Sequence, residues 1–321
     1  MKLVQLLDDT QQPRVGIVDH DQIQLLHSIS SIYDLAQQSE NEQLEIASLA
    51  QQLATDAYLS YTEVARENRL RLPFDHPDPY HTWITGTGLT HLGSASSRDA
   101  MHQLEKAQEE SKLTDSMRMF QMGIENGRMQ GNTPGVQPEW FYKGNGLSAV
   151  APGHPLPSPS FAMDGGEEPE IAGLYMITKQ GTPKRIGFAL GNEFSDHKME
   201  KVNYLYLAHS KLRKCSYGPE LLLGDLPHHI TGKSKIIRNK KTVWEKEFLT
   251  GEAHMSHNLA NLEYHHFKYD LFCQPGDVHV HFFGTSVLSF ADKFQTSPGD
   301  IFEISADCFD HSLTNTLSPE K

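Results

Sequence analysis

The sequence predicts an α+β chain rich in strand, with a small α+β head and a larger β-rich body. Three observations carry that expectation. Helical periodicity is confined to two zones, about residues 30–70 and 98–122. Beyond residue 136, short β-prone runs at 171–177, 185–189, 235–238, 278–283 and 301–304 are punctuated by Gly and Pro. Pro275-Gly276-Asp277 and Pro298-Gly299-Asp300 each precede such a run, as turns between strands do.

Taken in order, residues 1–26 read as a hairpin. Leu3-Val4-Gln5-Leu6 and Val15-Gly16-Ile17-Val18 are β-prone, and the segment between them is turn-rich. Ser31-Ile32-Tyr33-Asp34-Leu35-Ala36 opens a helical stretch free of Pro and Gly that runs to about residue 70. Residues 72–79 carry three prolines, each of which biases its predecessor to extended geometry, so the chain is divided there into a head, 1–75, and a body, 80–321. The second helical zone ends in the Met-rich Ser116-Met117-Arg118-Met119-Phe120-Gln121-Met122, expected as adaptable core or, more sharply, as a mobile cover over a site. Residues 123–135 read as a loop. No repeat or low-complexity tract is present.

With 28 Lys+Arg against 41 Asp+Glu, the formal charge of the 321 residues is −13, which disfavours nucleic acid and acidic lipid as partners. The densest basic stretch, residues 233–246, alternates with apolar residues and is expected as one exposed strand face. Cys215, Cys273 and Cys308 are odd in number and widely spaced, which argues against a disulfide framework or thiolate metal site and favours a reducing compartment. No targeting segment or bilayer-length apolar run is seen, so a soluble, cytoplasmic protein is expected.

The most informative cluster is Gly165-Gly166-Glu167-Glu168-Pro169-Glu170-Ile171. Strand alternation points Glu168 and Glu170 the same way, at the mouth of an apolar strand, and two such carboxylates repel unless a cation or proton lies between them. A second apolar strand ends in Gly191-Asn192-Glu193-Phe194-Ser195-Asp196-His197. If it delivers Glu193 beside the pair, the result is an oxygen-only, triply anionic site suited to Mg²⁺, Mn²⁺ or Ca²⁺. The 18 histidines include His228-His229, His265-His266 and the pair His279 and His281 on one strand face. That last pair could ligate Zn²⁺ or help line a pocket, but spacing identifies no third ligand.

Glu168-Pro169-Glu170 followed by Gly191-Asn192-Glu193-Phe194-Ser195 resembles the fumarylacetoacetate hydrolase superfamily, in which an E-x-E pair and an acidic residue in an N-[DE]-x-S turn bind a divalent cation. Ser210-Lys211 ahead of Gly218-Pro219, Pro275-Gly276-Asp277-Val278 with Gly284-Thr285-Ser286, and Pro298-Gly299-Asp300-Ile301 are similar to further superfamily motifs in the same order, over roughly residues 80–306. Thr85-Gly86-Thr87-Gly88-Leu89-Thr90-His91-Leu92-Gly93-Ser94-Ala95, Pro138-Glu139-Trp140-Phe141-Tyr142-Lys143-Gly144 and His265-His266-Phe267-Lys268-Tyr269 resemble its GguC-like, pentonate-catabolism branch.

The resemblance implies a rolled mixed β-sandwich body with a small N-terminal domain, a homodimer, and Mg²⁺ held by Glu168, Glu170 and Glu193. It implies dehydration of a 2-keto-3-deoxy-pentonate to 2-oxoglutarate semialdehyde. Thr285, with Gly284 and Ser286, is expected to anchor the substrate carboxylate. Lys211 is expected as the charged catalytic partner, or as a base if burial lowers its pKa, and His91 as a second acid/base group. Lys143 is expected to bind substrate oxygens or pair with a site carboxylate.

Two departures matter. Glu193 stands where most of the superfamily has Asp, and Ser94 and Ser97 stand where its hydrolases carry a His-x-x-Glu dyad that activates water. The second departure favours a reaction that needs no nucleophilic water. The alternatives are hydrolysis of a C–C bond in an acylpyruvate or β-diketo acid, and a non-catalytic protein that binds metal and 2-keto acid.

Overall fold

A computed structural model describes residues 1–93 and 114–320. The head comprises β1 (Lys2–Leu7), β2 (Pro13–Asp19), β3 (Gln22–Leu26), α1 (Ile32–Glu42), α2 (Ile46–Leu53), β4 (Ala54–Ser60) and α3 (Tyr61–Arg66). Then come β5 (Thr82–Gly88), α4 (Asp115–Asn126), β6 (Glu139–Asn145), β7 (Ala149–Val150), β8 (Leu156–Ser158), β9 (Pro169–Ile177) and β10 (Pro183–Asn192). The chain continues with α5 (His197–Val202), α6 (Leu207–Lys211), β11 (Cys215–Tyr217), β12 (Leu221–Leu222), β13 (Ile230–Arg238), β14 (Lys241–Thr250) and α7 (Leu259–Phe267), and ends with β15 (Val278–Phe282), β16 (Ile301–Ala306) and β17 (Leu313–Pro319).

The expected α+β, β-rich class is what the structure has. A mixed sheet of 12 strands runs β4-β3-β2-β1-β12-β10-β9-β15-β5-β6, with β11 and β7 branching from β10. A second sheet of five runs β14-β13-β16-β17-β8. The boundary drawn between residues 75 and 80 does not interrupt the large sheet, because β1 pairs antiparallel with β12. Head residues Leu3, Val15, Ile32, Leu35 and Leu49 share one core with Ala172, Leu174, Val278 and Phe282 of the body.

Three expectations need correction. The first helical zone is broken by β4, whose Ala54, Tyr58, Leu59 and Ser60 complete an edge pairing with β3. Propensity there is overridden by the partner strand. Residues 123–126, expected as loop, extend α4, with Gly123 close against His257, where a Cβ would stand 2.8 Å from its Nε2. The basic stretch is a hairpin of two strands, β13 and β14, and its charges meet acids: Lys235 reaches Glu303 at 2.7 Å, Lys246 reaches Asp292 at 2.9 Å and Arg238 reaches Asp300 at 2.7 Å.

The site is positioned by three adjacent strands. β10 lies antiparallel to β9, and β15 lies antiparallel to β9 on its other side. Their register puts Glu170, Gly191 and Phe282 on one face of the sheet and His279 and His281, opposite Tyr175 and Gly173, on the other. Both Pro-Gly-Asp triplets form turns, entering β15 and β16.

Candidate metal centre

Glu168 immediately precedes β9 and Glu170 is its second residue, so alternation sends both carboxylates to one side. The antiparallel ladder continues beyond the strand ends. Glu193 N–H donates to Glu168 O at 3.0 Å, and Gly166 and Ser195 exchange backbone bonds of 3.0 Å each. This closure brings Glu193 to the pair from a different strand. One oxygen from each of Glu168, Glu170 and Glu193 can be chosen so that all lie within 4.8 Å of one another, and all three side chains are buried. Oxygens sharing one ion at about 2.0–2.6 Å stand no more than about 4–5 Å apart, so the cluster fits a single Mg²⁺, Mn²⁺ or Ca²⁺.

Two buried ammonium groups face these carboxylates. Lys211, the last residue of α6, donates to Glu168 Oε1, to Glu193 Oε2 at 2.5 Å and to Ser195 Oγ at 3.2 Å. Its Nζ also lies 4.8 Å from the Phe141 ring centroid. Lys143, on β6, meets Glu193 Oε1 at 2.5 Å, Phe194 O at 2.7 Å and Lys211 O at 3.0 Å. Those contacts use all three donors of its ammonium. Of the two roles expected for Lys143, the pairing with a site carboxylate is the one these contacts display.

The electrostatics separate the three glutamates. Burial alone would raise Glu168, but the Lys211 ammonium and His197 reverse it and hold its carboxyl well below the usual range. Glu170 is pushed well above that range by burial and by repulsion from Glu193 and Glu168. Among the described residues no salt bridge reaches Glu170, whose Oε2 accepts the Gly284 N–H at 2.7 Å. Glu193 is raised by burial and by Glu168, with Lys143 and Lys211 opposing. For Lys211, burial works to lower the pKa, but the neighbouring Glu168 and Glu193 carboxylates outweigh it and raise the pKa.

Gly284 carries a φ of +95°, and a Cβ there would overlap Thr90 Oγ1. Only glycine lets this turn pass close enough to donate to Glu170. Thr285 Oγ1 donates to Val287 O at 3.0 Å, and Ser286 Oγ donates to Leu249 O at 3.3 Å. His91 lies beside the same turn, buried, with Nε2 2.7 Å from Thr250 Oγ1 and Nδ1 3.1 Å from Thr90 Oγ1. Burial and His254 lower its pKa to about 3. Both ring nitrogens of the expected second acid/base group thus lie within hydrogen-bond distance of threonine hydroxyls. Ser94 and Ser97 lie outside the described residues, as do residues 98–113 of the second helical zone.

Sequence reasoning missed His197, whose Nε2 lies 3.1 Å from Glu168 Oε1 and whose Nδ1 lies 3.6 Å from Asp164 Oδ2. Burial opposes its protonation, but Asp164 and Glu168 raise its pKa to about 10. It also missed Glu167, which accepts Ser289 N–H at 2.9 Å and Ser289 O–H at 2.8 Å, and so ties the Gly284–Ser289 segment to the metal strand. Their only sequence signal was adjacency to the motif glutamates. His279 and His281 lie on the opposite face of the sheet from Glu170, so the expectation that they help line the pocket is set aside. Among the described residues the glutamate trio is the one group of three or more ligand-type side chains close enough to share an ion.

Comparison with known proteins gives no matching family profile and no matching curated protein. Solved structures do match. The apo form of 2-keto-3-deoxy-D-arabinonate dehydratase superposes with a TM-score of 0.71 at 19% identity, covering 100% of both chains. The same enzyme complexed with magnesium and 2,5-dioxopentanoate gives a TM-score of 0.70 at 19% identity, again over 100% of both chains. A 5-carboxymethyl-2-hydroxymuconate delta-isomerase from Mycobacterium smegmatis gives 0.59 at 12% identity over 100% of both chains. Together these likenesses show that the chain has the fold shared by these enzymes.

Proposed function

We propose that this chain is a divalent-cation-dependent hydro-lyase that dehydrates a 2-keto-3-deoxy-pentonate to 2-oxoglutarate semialdehyde. The observation that carries the reading is the buried convergence of Glu168, Glu170 and Glu193. The likeness to a dehydratase solved with magnesium and 2,5-dioxopentanoate supports it.

Glu168, Glu170 and Glu193 would hold the cation, which when bound polarises a 2-oxo group and acidifies the adjacent C3–H. The chain's own residues supply the surroundings. Lys143 and Lys211 place two positive charges against three carboxylates, so the site is not left with a large uncompensated charge. Lys211 is the candidate charged partner, either as a hydrogen-bond donor toward developing negative charge and the departing C4 hydroxyl or as the acceptor of the C3 proton. Thr285 and the backbone of its turn, fixed through Gly284 and Glu167, would receive the substrate carboxylate. The substrate is a small 2-keto acid, and the active form is taken to be a homodimer, which light scattering on the eluting protein tests.

The deciding experiment incubates the protein with Mg²⁺ and C5 and C6 2-keto-3-deoxy acids, scored by mass spectrometry. Loss of one water with all carbons retained is the expected result. Two shorter acids would mean C–C hydrolysis, and tight pyruvate binding without turnover of any acid would mean a binding protein.

A further inference from the structure

The Asp164–His197–Glu168 alignment has no part in the reading above, although it ends on a cation ligand. His197 opens α5, only four residues after Glu193, and is buried. Its ring stacks on Phe290, with centroids 5.4 Å apart and planes at 26°. Phe290 directly follows Ser289, the residue gripped by Glu167. A Cβ on Gly166 would stand 2.6 Å from His197 Nδ1, so the ring's seat requires glycine at that position. Because a carboxylate only accepts, the contact of 3.1 Å to Glu168 is a donation from Nε2–H. Lys211 donates to the same oxygen, Oε1. Two donors on Oε1 leave Oε2 as the oxygen available to an ion.

We infer that His197 is a positioning residue for the cation ligand Glu168: seated over Phe290 and facing Asp164, it engages one carboxylate oxygen and presents the other to the cation. The inference rests on the cation reading of the site. It also links the ligand to the turn that bears Thr285, since ring and turn meet at Phe290. Hydrogen-bonded partners of metal ligands fix ligand orientation, and their loss typically costs about 10–100-fold in metal affinity.

The test is calorimetric titration of Mg²⁺ into the wild type, His197→Phe and His197→Gln, with melting temperatures recorded for each. Phe keeps an aromatic ring against Phe290 but has no donor, whereas Gln restores an N–H. His197→Phe is expected to bind Mg²⁺ about 10–100-fold more weakly, and His197→Gln to recover most of that loss, with similar melting temperatures for the two variants. Wild-type affinity in His197→Phe would overturn the inference. So would a Gln variant as weak as the Phe variant with both melting well below the wild type, the pattern of a merely structural ring. If His197→Phe does not fold, Asp164→Asn serves instead: a smaller weakening in the same direction supports the inference, and unchanged affinity overturns it. A wild type that binds no divalent cation overturns the cation reading itself, a separate result.

Discussion

The large sheet buries a polar cluster on each face, and the two clusters answer the cost of burial in opposite ways. On one face, Glu168, Glu170 and Glu193 meet Lys143, Lys211 and His197, and opposite charges approach to 2.5 Å. On the other, His266 Nε2 lies 3.0 Å from His279 Nδ1, and His281 Nδ1 lies 2.8 Å from Thr85 Oγ1. The rings of His266 and His281 stack with centroids 4.5 Å apart. Trp140 Nε1, which can only donate, gives its proton to His266 Nδ1 at 3.3 Å. In a neutral chain, His266 must then donate from Nε2 to His279. Burial pushes the His279 and His281 pKa values down to about 3 and that of His266 well below its ordinary value. The same desolvation acts on both faces. Charge is favoured where an opposite charge is within contact distance, and desolvation favours the neutral form in the His266, His279 and His281 cluster, whose hydrogen bonds go to no carboxylate among the described residues.

The largest expected effect breaks the charged face at its least compensated member. Glu170→Gln removes a ligand charge and should abolish Mg²⁺ binding and cation-dependent turnover, read by calorimetry and the water-loss assay. Retention of both would remove Glu170 from the cation site. Next in size, Lys143→Met removes one of the two ammonium groups on the buried Glu193 carboxylate, leaving Lys211, and should cost up to about 3–5 kcal/mol in denaturant unfolding, the usual range for breaking a buried pair from one side. The matching change on the neutral face, His281→Leu, leaves the Thr85 hydroxyl without its imidazole partner and should cost about 1–3 kcal/mol, with cation-dependent turnover unchanged. If the two substitutions cost the same, the contrast between the faces fails.

The remaining effect is in pH. A histidine at about 3 in the folded protein and near 6.5 when unfolded adds no pH dependence above 6.5. Below that, the unfolded chain takes up the proton while the folded one resists it until about pH 3, so stability falls as pH falls through that window. The slope is at most about 1.4 kcal/mol per pH unit for each such histidine. Denaturant unfolding between pH 7 and pH 4 should therefore fall less steeply for His281→Leu than for the wild type. Parallel slopes would mean that the His281 ring is not held neutral.

Much of the charged face was readable along the chain. Glu168 and Glu170 are two residues apart at a strand mouth, so alternation alone places them together, and the Gly191-Asn192-Glu193 turn marks where the next strand ends. Lys211 was legible only through its motif context, and the protonation state it would take was not. Sequence favoured a base or a donor equally, while the structure sets two carboxylates on its Nζ. His91 stood out after a glycine-rich turn, and the structure places its ring between the hydroxyls of Thr90 and Thr250. His197 was passed over because nothing local distinguishes a ring that reaches back 29 residues to Glu168. In the head, β4 read as helix because its pairing with β3 is not a local property.

Sequence by itself determined where strands could turn, which side chains alternate to one face and which residue types could serve as hard oxygen ligands, because these follow from backbone geometry within a few residues. Tertiary structure alone decided that Lys143 and Lys211 would close on Glu193 from β6 and α6, that His197 would seat on Glu168, and which buried groups keep their charge. Those outcomes depend on through-space distance and the loss of water around each group, and neither quantity is defined until distant segments have packed together.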